Sequence, residues 1–242
     1  MRRIDLNCDM GELPEAIADG TQEALMPSIS SVNIACGGHA GDEHTMRTTI
    51  EQAQRWNLAI GAHPGYPDPA NFGRLEWNLP AEILADSVFE QLLRLAEIAA
   101  GSGARVTHVK PHGALYNQAA RDKDVARAVA LGVAHWSKDV ALYGLAGSAG
   151  NEIYRAAGFT VVAEAFADRR YEADGSLRSR KFDDALIRDP EEAARQAVRI
   201  VEEGHAQTIC IHSDTPGAPE IAAAMAKALR GAGVLIAGVS SS

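Results

Sequence analysis

The amino-acid sequence predicts an α/β chain forming one domain over residues 1–242, folded as a (β/α) barrel. Three observations carry that expectation. Short apolar runs alternate with helix-like stretches along the whole length. Polar residues collect directly after nearly every run, as at the mouth of a parallel barrel. No linker, low-complexity tract or strong internal repeat divides the chain. An open doubly wound sheet shares the alternation, but it gathers its ligands mainly at one switch-point crevice. The repeated polar strand ends therefore favour the closed form.

RIDLNCD (3–9) and SSVNIAC (30–36) read as the first strands, followed by a helix over EHTMRTTIEQAQRWN (43–57) with apolar residues at three- and four-residue spacing. LAIGAH (58–63) is the next strand. PAEILADSVFEQLLRLAEIAAGSG (80–103) is the clearest helix, with glycine as its stop. VTHVKPH (106–112) follows as a strand, then a helix over KDVARAVALGVAHWS (123–137). VALYGLAG (140–147) and TVVAEAFAD (160–168) are strands. PEEAARQAVRIVEEG (190–204) is a helix with Pro190 at its first position, where a missing N–H costs nothing. TICIHSD (208–214), the helical APEIAAAMAKALRG (218–231) and an eighth short apolar run, GVLIAGV (233–239), complete the pattern.

Composition bounds the function. With 23 Lys+Arg against 32 Asp+Glu the net charge is −9, which argues against nucleic acid or an anionic membrane as partner. No apolar run approaches the length of a membrane span. The start, MRRIDLNCDM, lacks the apolar core of a signal peptide. Cys8, Cys36 and Cys210 are odd in number and far apart, so no disulfide framework is expected and a cytoplasmic setting is. The cysteines themselves read as small apolar fillers.

The chemistry lies at the strand ends. There the chain places Asp9 and Glu12; Asn33, His39 and Asp42; His63 and Arg74; Lys110 and His112; Glu164, Asp168 and Arg169; His212 and Asp214. Four of the eight histidines, His39, His63, His112 and His212, close four different strands. His108, Lys110 and His112 alternate along one strand and so share an inward face, which is costly unless that face is polar. Taken singly, a strand-end His or Asp is commonly a cap or loop-ordering group. His44 and His108 read as structural, and His135 and His205 as helix-borne surface residues.

Two reaction designs use this set. A metal hydrolase would take Asp9, His39 or His44, and His63 as ligands and activate water, although the i, i+5 spacing of His39 and His44 does not match HExxH. A metal-free design would phosphorylate an amide oxygen to make its carbon reactive, direct water with a carboxylate or imidazole, and hold negative charge with Lys110 and Arg169. No GxxxxGK[ST] is present, so a nucleotide site would be something other than a Walker loop or would lie on another chain.

Together, IDLNCDMGE, SSVNIACGGHAGD, AIGAHPGYPD with FGR, HVKPHGALYN, EAFADRRYEADGSLRSR and ICIHSDTP resemble, in order, the blocks of the LamB/YcsF family from about residue 3 to the C-terminus. The resemblance implies a seven-stranded barrel related to carbohydrate deacetylases. It implies opening of 5-oxo-L-proline to L-glutamate with ATP as co-substrate, alongside two further subunits, B and C. Asp9, His39, His63, Lys110, His112, Glu164, Asp168 and Arg169 fall on the family's motif positions. The expected catalytic residues are Asp9, His63, Lys110, His112 and Glu164. The expected substrate-binding residues are Asn33, His39, Arg74, Asp168, Arg169 and His212. A divalent metal, if used, would sit on Asp9, His39 and His63. Two departures stand out: LPEAIADGTQEALMP replaces a Ser-Phe-Gly-like loop after NCDMGE, and Ser213 in HSDTP replaces a glycine. The alternatives are a metal-dependent deacetylase or amidase and a non-catalytic component that binds a small carboxylate. Lys110→Ala is expected to abolish turnover and leave the fold intact.

Overall fold

The computed structural model describes residues 1–239. Seven parallel strands, β1 (Arg3–Met10), β2 (Ser31–Ala35), β3 (Ala59–His63), β4 (Val106–Val109), β5 (Ala141–Leu145), β6 (Thr160–Phe166) and β7 (Thr208–His212), pair in sequence order. β1 closes the ring by pairing with both β2 and β7. The eighth run forms only β8 (Leu235–Ile236), which adds to Arg3 and Ile4 at the barrel floor and is not a stave.

Helices α1 (Pro14–Ala18), α2 (Thr21–Leu25), α3 (Glu43–Arg55), α4 (Ala81–Gly101), α5 (Gly113–Arg121), α6 (Lys123–Trp136), α7 (Ala149–Ala156), α8 (Pro190–Glu203) and α9 (Ala218–Gly231) cover the outside. Local chemistry sets their starts. Asp42 and Thr45 form a reciprocal capping box on α3. Asp189 caps α8 with Pro190 in its first turn. Asp42, a candidate by its strand-end position, is thus a helix cap.

Strand period two divides polar from apolar. Ile4, Leu6, Cys8 and Met10 of β1 join the apolar layer under the helices, whereas Asp5, Asn7 and Asp9 make polar contacts with β2 beside them and, across the barrel, with β5, β6 and Lys110 just beyond β4. The barrel interior is therefore polar in layers. At the floor, Asp5 accepts hydrogen bonds from Ser30 (2.7 Å), Ser31 (2.8 Å), Thr208 (2.6 Å) and Tyr143 (3.1 Å). One layer up, Asn7 donates to Thr208 and Glu164 and accepts from Asn33. His108 crosses to Asn33 at 3.0 Å and stacks on Tyr143. Gly61 permits this crossing, because a Cβ there would lie 2.1 Å from His108 Nε2.

Candidate active site

Register assembles the site. Asp9 pairs with Asn33 on β2 and with His212 on β7, while His63 ends β3 opposite Ala35. Lys110 follows β4, and its Nζ lies 2.9 Å from Asp9 Oδ1, 3.0 Å from Glu164 Oε1, 3.2 Å from Asn7 Oδ1 and 3.0 Å from Cys210 Sγ. Its three N–H groups already have acceptors, and the lysine is buried. The carboxylate charges hold the ammonium form against the penalty of burial, and its pKa stands well above the ordinary lysine value. Lys110 is the buried cation that lets Asp9 and Glu164 coexist.

The imidazoles meet on the other side of Asp9. His63 Nδ1 donates to the Lys110 carbonyl at 2.7 Å, and His112 Nε2 donates to the Phe72 carbonyl at 2.9 Å. Those bonds direct His63 Nε2 and His112 Nδ1 towards each other at 3.0 Å. Asp9 Oδ2 is 3.3 Å from His63 Nε2, and Glu12 Oε1 is 3.1 Å from His112 Nδ1. With both rings neutral, two lone pairs would oppose each other between two carboxylates, so the arrangement calls for a shared proton or a cation. His39 donates from the third side, with Nε2 2.9 Å from Glu12 Oε1 and its ring stacked on His112 at 3.5 Å. Gly73, at φ +60°, keeps this wall close, since a Cβ there would sit 2.7 Å from that of His39.

Environment separates the histidines. Burial works against the charged form of all three. For His63 the charges of Asp9 and Glu12 prevail and the pKa is raised. His112 remains lowered, and His39, beside His112, is pushed down to about 3. Asp9 and Glu12 lie below the usual carboxylate range, because the histidines and, for Asp9, Lys110 outweigh burial.

The remaining candidates sit around this centre. His212 Nδ1 is 2.9 Å from Asp168 Oδ2, which also accepts the His212 backbone N–H. Ser213 Oγ donates to the Asp9 carbonyl at 2.7 Å and so ties its loop to β1. Arg74 is at the rim, where it shares Asp214 with Arg180. Arg169 is buried, donates to the Arg178 carbonyl and leaves its Nε without a partner. Asp9, Asn33, His63, Lys110, His112 and Glu164 are thus linked directly, His39 joins through Glu12, and Arg74 stands apart. Glu12 is more central than its position beyond β1 suggested. Asn7, Cys210 and Arg180 are additions, and of these only Asn7 carried a signal, its two-residue spacing from Asp9. Cys210 is more than filler, for its sulfur touches Lys110.

Among the described residues, Glu12, His39, His63 and His112 each offer one donor atom within 4.8 Å of the others, and Asp9, Cys210 and His212 form a second such group. The first differs from the Asp9–His39–His63 expectation, because His39 turns to Glu12. Its nitrogen and oxygen donors suit a borderline divalent ion.

A closed parallel barrel with ordered carboxylates and imidazoles at its C-terminal mouth places the protein in the (β/α)-barrel class, whose enzymes carry their active sites at that end. The chain belongs to the LamB/YcsF family, whose model matches residues 4–242. It is 50% identical to the A component of 5-oxoprolinase from Chloroflexus aggregans, with 98% of each chain covered. Its fold matches the crystal structure of the lactam utilization protein from Thermus thermophilus at a TM-score of 0.90 and 40% identity, covering 98% of this chain and 100% of that one. The catalytic domain of a peptidoglycan N-acetylglucosamine deacetylase from Eubacterium rectale aligns at a TM-score of 0.55 and 10% identity over 100% of this chain and 90% of that one, a likeness of fold alone.

Proposed function

We propose that this chain opens the lactam ring of 5-oxo-L-proline to L-glutamate as the A component of an ATP-using 5-oxoprolinase, working with components B and C in the cytoplasm. Family membership and the name carried by the 50%-identical relative support the substrate. Among the described residues no helix is long and apolar enough to cross a membrane. One geometric observation carries the chemistry: His63 and His112, each fixed by a main-chain carbonyl, meet 3.0 Å apart between Asp9 and Glu12.

ATP consumed by the assembled enzyme activates the lactam oxygen and makes the ring carbon a better electrophile. Asp9 orients the attacking water, and His112 takes a proton from it as the new C–O bond forms. The ring C–N bond then breaks with its electron pair on nitrogen, which His63 protonates. The carbon is left as an acyl phosphate, which a second water hydrolyses to the carboxylate of L-glutamate and inorganic phosphate. Lys110 keeps Asp9 ionised and holds Glu164 in place. Glu12 and His39 set the orientation of His112, while Asn33 does the same for Asp9. Asp168 orients His212 at the mouth, and the free donor of Arg169 together with Arg74 serves the substrate carboxylate.

A second reading, a metal-dependent amidase or deacetylase, is favoured by the converging donors of Glu12, His39, His63 and His112. A divalent ion held there would polarise a carbonyl and lower the pKa of bound water. One experiment separates the two. Glutamate release from 5-oxo-L-proline is measured with and without ATP, components B and C, and chelator. Glutamate formed only with ATP and both partners supports the first reading. Chelator-sensitive, ATP-indifferent amide hydrolysis by the chain alone overturns it.

A further inference from the structure

One polar residue interrupts the buried stripe of α4. Leu84, Val88, Leu92 and Leu95 turn from the helix into the apolar layer, and Gln91 sits among them, 7% exposed. A buried amide is costly unless its oxygen and its N–H groups are met. The main chain of Gly65, two residues beyond His63, meets both. Gln91 Oε1 accepts the Gly65 N–H at 3.0 Å, and Gln91 Nε2 donates to the Gly65 carbonyl at 2.9 Å. Two bonds to one residue fix both the place and the tilt of that segment.

Two glycines make the fit possible, and neither has the positive φ that would call for glycine on conformational grounds. A Cβ at Gly38 would lie 2.7 Å from Gln91 Cδ, so the amide fills the space that a side chain there would need. A Cβ at Gly65 would lie 2.7 Å from His39 Nδ1, so the His39 imidazole rests directly on that backbone. The carbonyl of Pro64, one residue earlier, accepts the His112 N–H at 2.8 Å. Pro64 and Gly65 are thus a common seat for His39 and His112. The two rings stack at 3.5 Å with 2° between their planes, and both reach Glu12 Oε1.

We infer that Gln91 is a positioning residue for the mouth imidazoles: it pins the seat at Pro64 and Gly65 and so sets how His39 and His112 meet Glu12. The inference rests on the acid–base reading of the mouth and adds to it a helix-borne amide that no strand-end motif marks. Gln91→Ala removes both bonds, and Gly38→Ala keeps the amide but fills its space. Each should lower kcat for glutamate release by the assembled complex about 10- to 100-fold, as expected for imidazoles displaced by about 1 Å, with KM changed less than about twofold. The double variant should be no slower than Gln91→Ala alone, because the added methyl then enters vacated space and the clamp is already gone.

The bond between His39 and Glu12 supplies a readout that needs no substrate. Its imidazole N–H proton resonance, identified by its loss in His39→Gln, should be present in wild type and should broaden or vanish in both single variants. Normal kcat in the folded variants whatever their melting temperature, an unchanged imidazole resonance, or losses that multiply in the double variant overturns the inference. Where Gln91→Ala yields no folded protein, Gly38→Ala, which keeps every polar group, decides by kcat and the resonance. Glutamate release by the wild-type complex reports on the lactam reading separately.

Discussion

The floor and the mouth of the barrel are both polar and buried, yet they differ in completeness. At the floor, the Asp5 carboxylate collects four hydroxyl donors, and none of these five side chains carries an unpaired buried atom. Around the mouth, His39 Nδ1, Glu164 Oε2, Tyr116 Oη, Arg169 Nε and Asp214 Oδ1 are all unmet. A completed network fixes architecture, whereas an incomplete one marks where a ligand supplies the missing partners. The contrast predicts that substitutions at the floor change stability, and that those among the mouth imidazoles change turnover.

Lys110 tests the boundary between the two and carries the largest expected effect. Replacing it with Met keeps much of the volume but leaves Asp9 and Glu164 as uncompensated buried charges. The expected cost is about 3–5 kcal/mol of stability, together with loss of measurable glutamate release. This revises the expectation that Lys110→Ala leaves the fold intact, for the ammonium is held on four sides. Urea titration decides the matter, and an unchanged midpoint would remove Lys110 from the structural network.

Purely within the mouth, His63→Gln should lower kcat by about 10²–10⁴ while the melting temperature moves little. At the floor the order reverses. Asp5→Ala strands four donors and should cost about 3 kcal/mol, with kcat of the folded fraction nearly unchanged. A kcat collapse in folded Asp5→Ala would show that floor and mouth act as one unit.

Much of this contrast was legible in the sequence, unevenly. Alternation of apolar runs and helices predicted a parallel sheet covered by helices, and the polar residues after nearly every run favoured its closed form. The inward set of His108 and Lys110 followed from period two, and His63 and Asp9 from their strand ends. Glu12, two residues beyond β1, was visible as a strand-end acid but could not be given a partner, since its contacts depend on where His39 and His112 fold back. Tyr116 carried no signal because α5 was not anticipated. The strand expected over 106–112 stops at Val109, and His112 is instead the N-cap of a helix that buries Tyr116. The eighth run misled in a different way, since an apolar pattern does not reveal that a strand pairs for only two residues at the floor.

The smallest effect distinguishes His108 in the middle layer from the imidazoles of the mouth by pH. His108 is pushed down to about 3, first by burial and then by the Lys110 charge and by His63. It therefore stays neutral in the folded chain while its unfolded counterpart protonates near 6.5. A depressed histidine pKa means that the unfolded state binds the extra proton. Its stabilising contribution is thus complete above about pH 6.5 and is lost as pH falls towards 3, with a slope approaching about 1.4 kcal/mol per pH unit. Asp5, raised by burial against its four hydroxyl bonds, acts in the opposite sense near the acid end of that range, so the raw slope mixes both. The difference between wild type and His108→Gln isolates the histidine, because glutamine keeps a donor for Asn33 without titrating. Urea midpoints at pH 7 and pH 5 should converge between the two proteins as pH falls. A constant offset would mean that His108 titrates alike in the folded and unfolded chains, and the middle layer would then lose its place beside the floor as fixed architecture.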